Sequence, residues 1–129
     1  MFVQIFFGEN IQPFLSLDIK ELIIVAKSLG RIVASYYLDQ HRENSKIKLV
    51  ILGYVVGGVK TSALQDALTL IIQGENDRFG NAKTVRNELA QHNAHAKVIE
   101  IPKADHSYRD INKAPIYQER AISKLLSEL

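Results

Sequence analysis

Residues 22–34 read Leu-Ile-Ile-Val-Ala-Lys-Ser-Leu-Gly-Arg-Ile-Val-Ala, in which Lys27, Ser28 and Gly30 separate two apolar segments. The apolar run at 22–25 carries β-branched side chains without polar alternation, which is typical of a strand buried on both faces of a parallel sheet. After Gly30, apolar side chains recur in pairs four residues apart, which favours a helix: Ile32 with Tyr36, and Val33 with Tyr37. The stretch therefore predicts a strand, a tight turn at Ser28 and a helix.

The rest of the chain repeats this alternation of strand and helix. Apolar runs at 47–52, 68–72 and 97–101 predict three more strands. Residues 1–7 are better explained by a buried strand than by a signal peptide, because they have no basic flank. Asn81 is a predicted N-cap for one helix, and Pro115 precedes an apolar stripe that predicts another: Ile122, Leu125, Leu126 and Leu129. The pattern predicts an α/β fold, with a mostly parallel sheet of four to five strands and flanking helices.

Length and composition narrow the class of protein. A chain of 129 residues with 47% hydrophobic side chains predicts a single domain over residues 1–129. The 16 basic and 14 acidic residues are scattered, which argues against a nucleic-acid partner. No run reaches the roughly 20 apolar residues of a membrane helix. The absence of cysteine excludes disulfides and fits a cytoplasmic protein. Three histidines are expected in solvent rather than in a metal site: His41, His92 and His95.

Three chemically reactive side chains follow three of the predicted strands. Ser28 follows the first, Asp77 follows the strand at 68–72, and His106 follows the strand at 97–101. Because the carboxyl ends of parallel strands share one edge of a sheet, these side chains are expected to converge. A serine nucleophile needs a base to accept its proton and a carboxylate to orient that base. The backbone N–H of Leu29, on the turn after the serine, is suited to stabilise an oxyanion.

The same strand ends carry short motifs: Ala-Lys-Ser-Leu-Gly at 26–30, Gln-Gly-Glu-Asn-Asp-Arg-Phe-Gly at 73–80 and Lys-Ala-Asp-His-Ser at 103–107. In that order they resemble the nucleophile elbow, acid loop and histidine loop of the α/β-hydrolases, in the small dienelactone-hydrolase-like and esterase-like branch. The resemblance implies a catalytic triad of Ser28, Asp77 and His106, with the Leu29 N–H as an oxyanion donor. It implies an esterase-like serine hydrolase acting on a small acyl ester, with no metal or organic cofactor.

The chain departs from that family at the elbow and before it. Ala26 and Arg31 stand where the branch has glycine, and the Arg31 cation is expected to crowd or recharge the pocket. The family carries several strands before the elbow, and a loop among them supplies a second oxyanion donor, whereas only 27 residues precede Ser28. We therefore expect the C-terminal half of the fold, N-terminally truncated, with weak activity. The apolar edge at 22–25 would then pair with residues 1–7 or with a second copy in a homodimer.

The site residues also have structural explanations. Ser28 fits a helix N-cap, and Asp77 fits a turn. Asp105, directly before His106, is an alternative acid. Lys27 is expected to be exposed and to point away from Ser28.

Two alternative functions are also compatible with the sequence. A catalytically silent α/β-hydrolase remnant would act as an interaction module or as part of a longer enzyme, and the missing N-terminal half favours it. A flavodoxin-like nucleotide-binding domain is less well supported, because no glycine-rich phosphate loop follows the first strand. Gly57-Gly58 is weak evidence for such a loop.

Overall fold

The fold is seen in a computed structural model, which describes residues 2–5, 21–40, 47–57 and 67–129. Five parallel strands form one sheet, and their order in the sheet is their order along the chain. The strands are β1 (Phe2–Ile5), β2 (Leu22–Lys27), β3 (Ile47–Leu52), β4 (Leu68–Gly74) and β5 (Lys97–Ile101). The prediction of a parallel sheet of four to five strands is confirmed, and β2 and β4 each extend two residues beyond their predicted apolar runs.

Three helices lie among the described residues: α1 (Gly30–Gln40), α2 (Ala82–Gln91) and α3 (Gln118–Glu128). Successive side chains of a strand point to opposite faces, so β2, β3, β4 and β5 each contribute to two hydrophobic clusters. One cluster joins the sheet to α1 and α2 through Ala34, Leu38, Val85 and Leu89. The other joins the opposite face to α3 through Ala121 and Leu125. The described residues therefore form a sheet with helices on both faces, as expected for an α/β fold.

The sequence predicts the positions of the helices better than it predicts which of their faces are buried. Asn81 caps α2 as predicted, because its side chain accepts a hydrogen bond from the Thr84 N–H at 3.0 Å. In α1 the predicted apolar residues Val33 and Tyr36 are each 53% exposed, and the buried residues are instead Arg31, Ala34 and Leu38. In α3 the buried residues are Ala121 and Leu125, whereas Ile122 and Leu126 are exposed. Small alanines occupy the faces against the sheet because they allow close approach, which a count of large apolar residues does not reveal.

The side of β2 away from β3 is covered by the chain itself. Strand β1 pairs with β2 in parallel from Phe2 opposite Leu22 to Ile5 opposite Val25. This is one of the two expected ways to cover the edge at 22–25, and the homodimer stays a prediction. Among the described residues, none of the helices combines the length and hydrophobicity that a membrane span requires.

The parallel arrangement places the carboxyl ends of β2, β4 and β5 at the same edge of the sheet. Lys27, Gly74 and Ile101 are the last residues of these strands. The segments that follow them carry Ser28, Asp77 and His106, so the fold brings the three predicted side chains to one place.

Candidate active site

Ser28 lies on a tight turn between β2 and α1, with a backbone φ of 52°. Non-glycine residues rarely adopt this left-handed conformation, which costs roughly 1–3 kcal/mol and persists only where the surroundings impose it. Here the Ser28 N–H donates to the Leu52 carbonyl at 2.9 Å, and the Ser28 carbonyl accepts from the Arg31 N–H at 3.2 Å. An N-cap residue has an extended backbone instead, so Ser28 is not an ordinary cap of α1.

A continuous chain of hydrogen bonds connects the three predicted side chains. His106 Nε2 lies 2.8 Å from Ser28 Oγ, and His106 Nδ1 lies 2.7 Å from Asp77 Oδ2. Both distances are within hydrogen-bonding reach, as expected for Asp77 and His106. The Asp77 side chain is fully buried and the His106 side chain is 15% exposed, so the Asp77 end of the chain is closed to water.

Asp77 is held by more than the histidine. Its Oδ1 accepts from the Phe79 N–H at 2.8 Å, and its Oδ2 accepts from Gln73 Nε2 at 3.0 Å as well as contacting His106. Asp77 therefore makes both contacts at once: Oδ1 accepts the turn hydrogen bond from Phe79, and Oδ2 contacts His106.

Gln73 is a site-supporting residue that the sequence analysis missed. It is fully buried, and its Oε1 accepts from the Tyr54 N–H at 2.8 Å. Its Nε2 lies within reach of the Tyr54 carbonyl, the Gly80 carbonyl and Asp77 Oδ2. The amide thus connects the segment after β3 to the acid loop. The available signal was a glutamine at the end of an apolar strand, since a buried polar side chain needs hydrogen-bond partners.

Two glycines allow the histidine loop to approach the strand ends. Gly53 has a φ of 71°, and a β-carbon there would lie 3.0 Å from His106 Cε1. A β-carbon at Gly74 would lie 2.5 Å from the carbonyl oxygens of Ala104 and Asp105. The Phe79 ring contacts the imidazole edge to face, with ring centroids 4.7 Å apart. The imidazole is therefore enclosed by close contacts as well as by hydrogen bonds.

Asp105 does not take the place of Asp77. Its carboxylate accepts from the Ser107 N–H at 2.8 Å and from the Arg109 N–H at 2.9 Å, and it pairs with the Arg109 guanidinium. Burial raises the pKa of Asp105, but the hydrogen bonds from Arg109 and Ser107 and the Arg109 charge outweigh it and lower this pKa to about 2. The Asp105 carboxylate thus stabilises the turn of the histidine loop at residues 105–109.

Two expectations about the elbow are wrong. Lys27 is half-buried rather than exposed, and its Nζ donates to the His106 carbonyl at 3.2 Å. Arg31 does not enter a pocket, because it is 1% exposed and its Nη2 donates to the Val55 carbonyl. The Arg31 guanidinium carbon lies 4.3 Å from the centroid of the Tyr54 ring, a cation–π contact. Both side chains thus turn back into the protein, and each contacts a main-chain carbonyl and an aromatic ring there.

Leu29 follows Ser28 on the turn, and its side chain is 63% exposed. Within the described ranges, no hydrogen bond uses its backbone N–H. Those ranges contain no group of three or more metal-ligating side chains, and His92 and His95 are exposed. His41 and Gly58 lie outside the described residues, as does the rest of the loop to Asp66.

Comparisons with solved structures give the same fold. A protein of unknown function from Agrobacterium tumefaciens, described as a candidate alpha/beta hydrolase, matches with a TM-score of 0.60 at 16% identity, over 84% of this chain and 50% of that chain. An alpha-beta serine hydrolase homologue from Coxiella burnetii matches with a TM-score of 0.58 at 19% identity, over 90% of this chain and 51% of that chain. A dienelactone-hydrolase-like promiscuous phosphotriesterase from metagenomic libraries matches with a TM-score of 0.53 at 17% identity, over 92% of this chain and 55% of that chain.

The chain spans about half the length of these three solved structures. None of the curated proteins compared with it matches. A family model described as an alpha/beta hydrolase domain matches residues 4–129. Because that match covers nearly the whole chain and the parallel sheet agrees with it, the chain belongs to the alpha/beta hydrolase family.

Proposed function

We propose that this α/β hydrolase is an esterase-like serine hydrolase, with Ser28 as nucleophile, His106 as general base and Asp77 as the residue that orients the base. The observation that carries the proposal is the unbroken contact from Ser28 Oγ through the His106 ring to Asp77 Oδ2, at 2.8 and 2.7 Å. A helix cap or a turn would not require both ring nitrogens of one histidine to be engaged in this way.

The order of the contacts sets the direction of proton transfer. Asp77 accepts a hydrogen bond from Nδ1–H, which leaves Nε2 unprotonated and facing the Ser28 hydroxyl. As Ser28 Oγ attacks the ester carbonyl, its proton moves to Nε2, and the buried Asp77 carboxylate stabilises the imidazolium. The tetrahedral intermediate collapses when the alkoxide leaves with that proton, and an acyl-serine remains.

Deacylation reverses the same transfers with water. His106 Nε2 takes a proton from water, the resulting hydroxide attacks the acyl carbon, and Ser28 leaves as its alcohol after regaining the proton. The Leu29 N–H is the proposed donor to the oxyanion in both steps. It lies at the start of α1, whose positive end also favours negative charge.

The proposed substrate is a small acyl ester. Leu29 and Val33 are exposed beside the nucleophile turn, at 63% and 53%, and would contact an acyl group only through a short exposed surface. We expect small acyl groups to react because they need few contacts beyond the reacting carbonyl. No organic cofactor takes part in this mechanism, and the cytoplasmic location stays a prediction.

The test is labelling with a fluorophosphonate probe, which forms a covalent bond only with an activated serine. We expect the adduct at Ser28 by peptide mass spectrometry, none in Ser28→Ala, and slow labelling in Asp77→Asn because the base loses its orienting anion. Ser123→Ala is the matched control, since Ser123 is exposed on α3. Labelling at another serine, or none in the folded wild-type chain, would overturn the proposal and favour the catalytically silent alternative.

A further inference from the structure

Lys27 is the last residue of β2 and directly precedes Ser28. Since side chains alternate along a strand, Lys27 shares a sheet face with Val25 rather than with Ala26. That face carries Tyr108 of the histidine loop, and the Lys27 Nζ lies 5.2 Å from the centroid of its ring. The Lys27 side chain therefore extends toward the histidine loop on the Tyr108 face of the sheet, and not toward the Ser28 hydroxyl.

The polar end of Lys27 binds the main chain of His106. Nζ donates to the His106 carbonyl at 3.2 Å, whereas the ring of the same residue contacts Ser28 and Asp77. Among the hydrogen bonds of the described residues, this one alone joins β2 to the main chain of the histidine loop, residues 102–109.

Other anchors of that loop include bonds from Gln118 Nε2 to the Ser107 carbonyl and from the Tyr117 N–H to the Tyr108 carbonyl. Two more lead to β4 and its extension. The Tyr108 hydroxyl donates to the Ile72 carbonyl at 2.8 Å, and the Asn76 N–H donates to the Ala104 carbonyl at 2.9 Å. These bonds set the loop relative to the segment that carries Asp77. The Lys27 bond instead fixes the histidine loop relative to β2, the strand that leads to Ser28. The bonds to β4 thus act on the distance between His106 and Asp77, and the Lys27 bond acts on the distance between His106 and Ser28.

We propose that Lys27 is a positioning residue that joins the nucleophile strand to the histidine loop and holds the imidazole at the Ser28 hydroxyl. The proposal rests on the serine hydrolase proposed above, and Lys27 itself touches no reacting atom.

The electrostatics of Lys27 fit this role. Burial lowers the pKa of Lys27, while the charges of Asp77 and Asp105 raise it and that of Arg109 lowers it. Asp77 belongs to the acid loop, and Asp105 and Arg109 belong to the histidine loop, which contacts the ammonium through His106 and Tyr108. A cation that loses hydration by lying here is held by the His106 carbonyl and the Tyr108 ring.

The experiment compares Lys27→Met, Lys27→Arg and the control Lys83→Met in the full chain. Methionine keeps an apolar stem without a donor, arginine keeps a charged donor, and Lys83 is exposed on α2. The first readout is the rate of fluorophosphonate labelling at Ser28. The second is the ¹⁵N signal of His106 Nε2 in histidine-labelled protein, assigned with His106→Asn and compared with Ser28→Ala. The thermal midpoint of each variant is measured alongside.

We expect Lys27→Met to label about tenfold more slowly, because small displacements of reacting groups are costly. Its Nε2 signal should move toward that of Ser28→Ala while Nδ1 and the thermal midpoint stay near wild type. Lys27→Arg should recover most of the rate, and Lys83→Met should equal wild type. Wild-type rate and Nε2 signal in Lys27→Met, or no recovery in Lys27→Arg, would overturn the proposal. If wild type itself is not labelled, the hydrolase proposal fails, and the Nε2 signal still decides the role of Lys27.

Discussion

Gly53 lies so close to His106 that a β-carbon at residue 53 would be 3.0 Å from Cε1 and 3.2 Å from Nδ1 of the imidazole, and the ring would have to shift by a few tenths of an ångström to admit it. Gly53 follows β3, whereas His106 follows β5, so the contact joins two strand ends across β4. Since Nδ1 is the atom that contacts Asp77, any shift of the ring away from residue 53 also disturbs that hydrogen bond.

Gly53→Ala should therefore slow Ser28 labelling by at least about tenfold. It should also lower the free energy of unfolding by roughly 1 kcal/mol, because alanine is strained at a φ of 71°. Gly57→Ala is the matched control: its φ is 100°, and no atom of the described residues lies within 4 Å of the added carbon. We expect Gly57→Ala to lose stability and keep its labelling rate. Equal labelling by the two variants would contradict a specific contact with the histidine.

Gln73→Leu should reduce both stability and labelling. It removes the partner of the buried Tyr54 N–H and one donor to Asp77, and an unpaired buried polar group costs roughly 1–3 kcal/mol. Urea unfolding measures the first effect, and the fluorophosphonate rate measures the second. Gln73→Glu keeps the shape but brings a second carboxylate against Asp77, so it should be worse than leucine. Gln91→Leu, at an exposed position of α2, should change neither quantity.

Asp105 makes stability depend on acid pH. Its folded pKa of about 2 lies below the ordinary value of 3.8, so the carboxylate stabilises the folded chain above 3.8 and this contribution is lost as pH falls toward 2. Asp105→Asn should thus be less stable than wild type at neutral pH, by roughly 1–2 kcal/mol. The difference should shrink between those two pH values. Urea unfolding at a series of pH values measures it, and a difference that stays constant would contradict the linkage.

Turnover of p-nitrophenyl acetate should be well below that of an α/β-hydrolase with two oxyanion donors. In the proposed mechanism the elbow supplies one donor, the Leu29 N–H, and the sequence motifs identify no second. Loss of one such donor costs roughly 100- to 1,000-fold in rate in a well-studied serine protease. Ser28→Ala should remove the remaining turnover. Activity that survives this substitution would mean that another residue is the nucleophile, and rapid turnover would mean that the oxyanion has donors beyond Leu29.

Much of the fold follows from local sequence pattern. Buried parallel strands need continuous apolar runs, and each of the five runs predicted as a strand contains a strand in the structure, the first at Phe2–Ile5. The faces of α1 and α3 were not predictable in the same way. Ala34 and Ala121 share the buried faces with Leu38 and Leu125, while other large apolar residues of these helices are exposed: Val33, Tyr36, Ile122 and Leu126.

The site shows the same division. Ser28, Asp77 and His106 could be selected because each follows a strand at the edge where parallel strands end. Lys27 and Gln73 could not be given their contacts from sequence, since each binds a main-chain group that is distant along the chain. Lys27 reaches the His106 carbonyl, and Gln73 reaches both polar groups of the Tyr54 backbone. Such partners exist only after the strands have assembled.

The left-handed backbone of Ser28, with its φ of 52°, opposes folding stability and the proposed catalytic role at a single position. Glycine would relax the turn and alanine would not, yet both lack the hydroxyl. Ser28→Gly should consequently have a free energy of unfolding about 1 kcal/mol higher than that of Ser28→Ala, and it should unfold at a higher temperature. Glycine at residue 28 would remove the backbone strain and also the 2.8 Å contact of Ser28 Oγ with His106 Nε2, so the proposed nucleophile is kept at a cost in backbone strain.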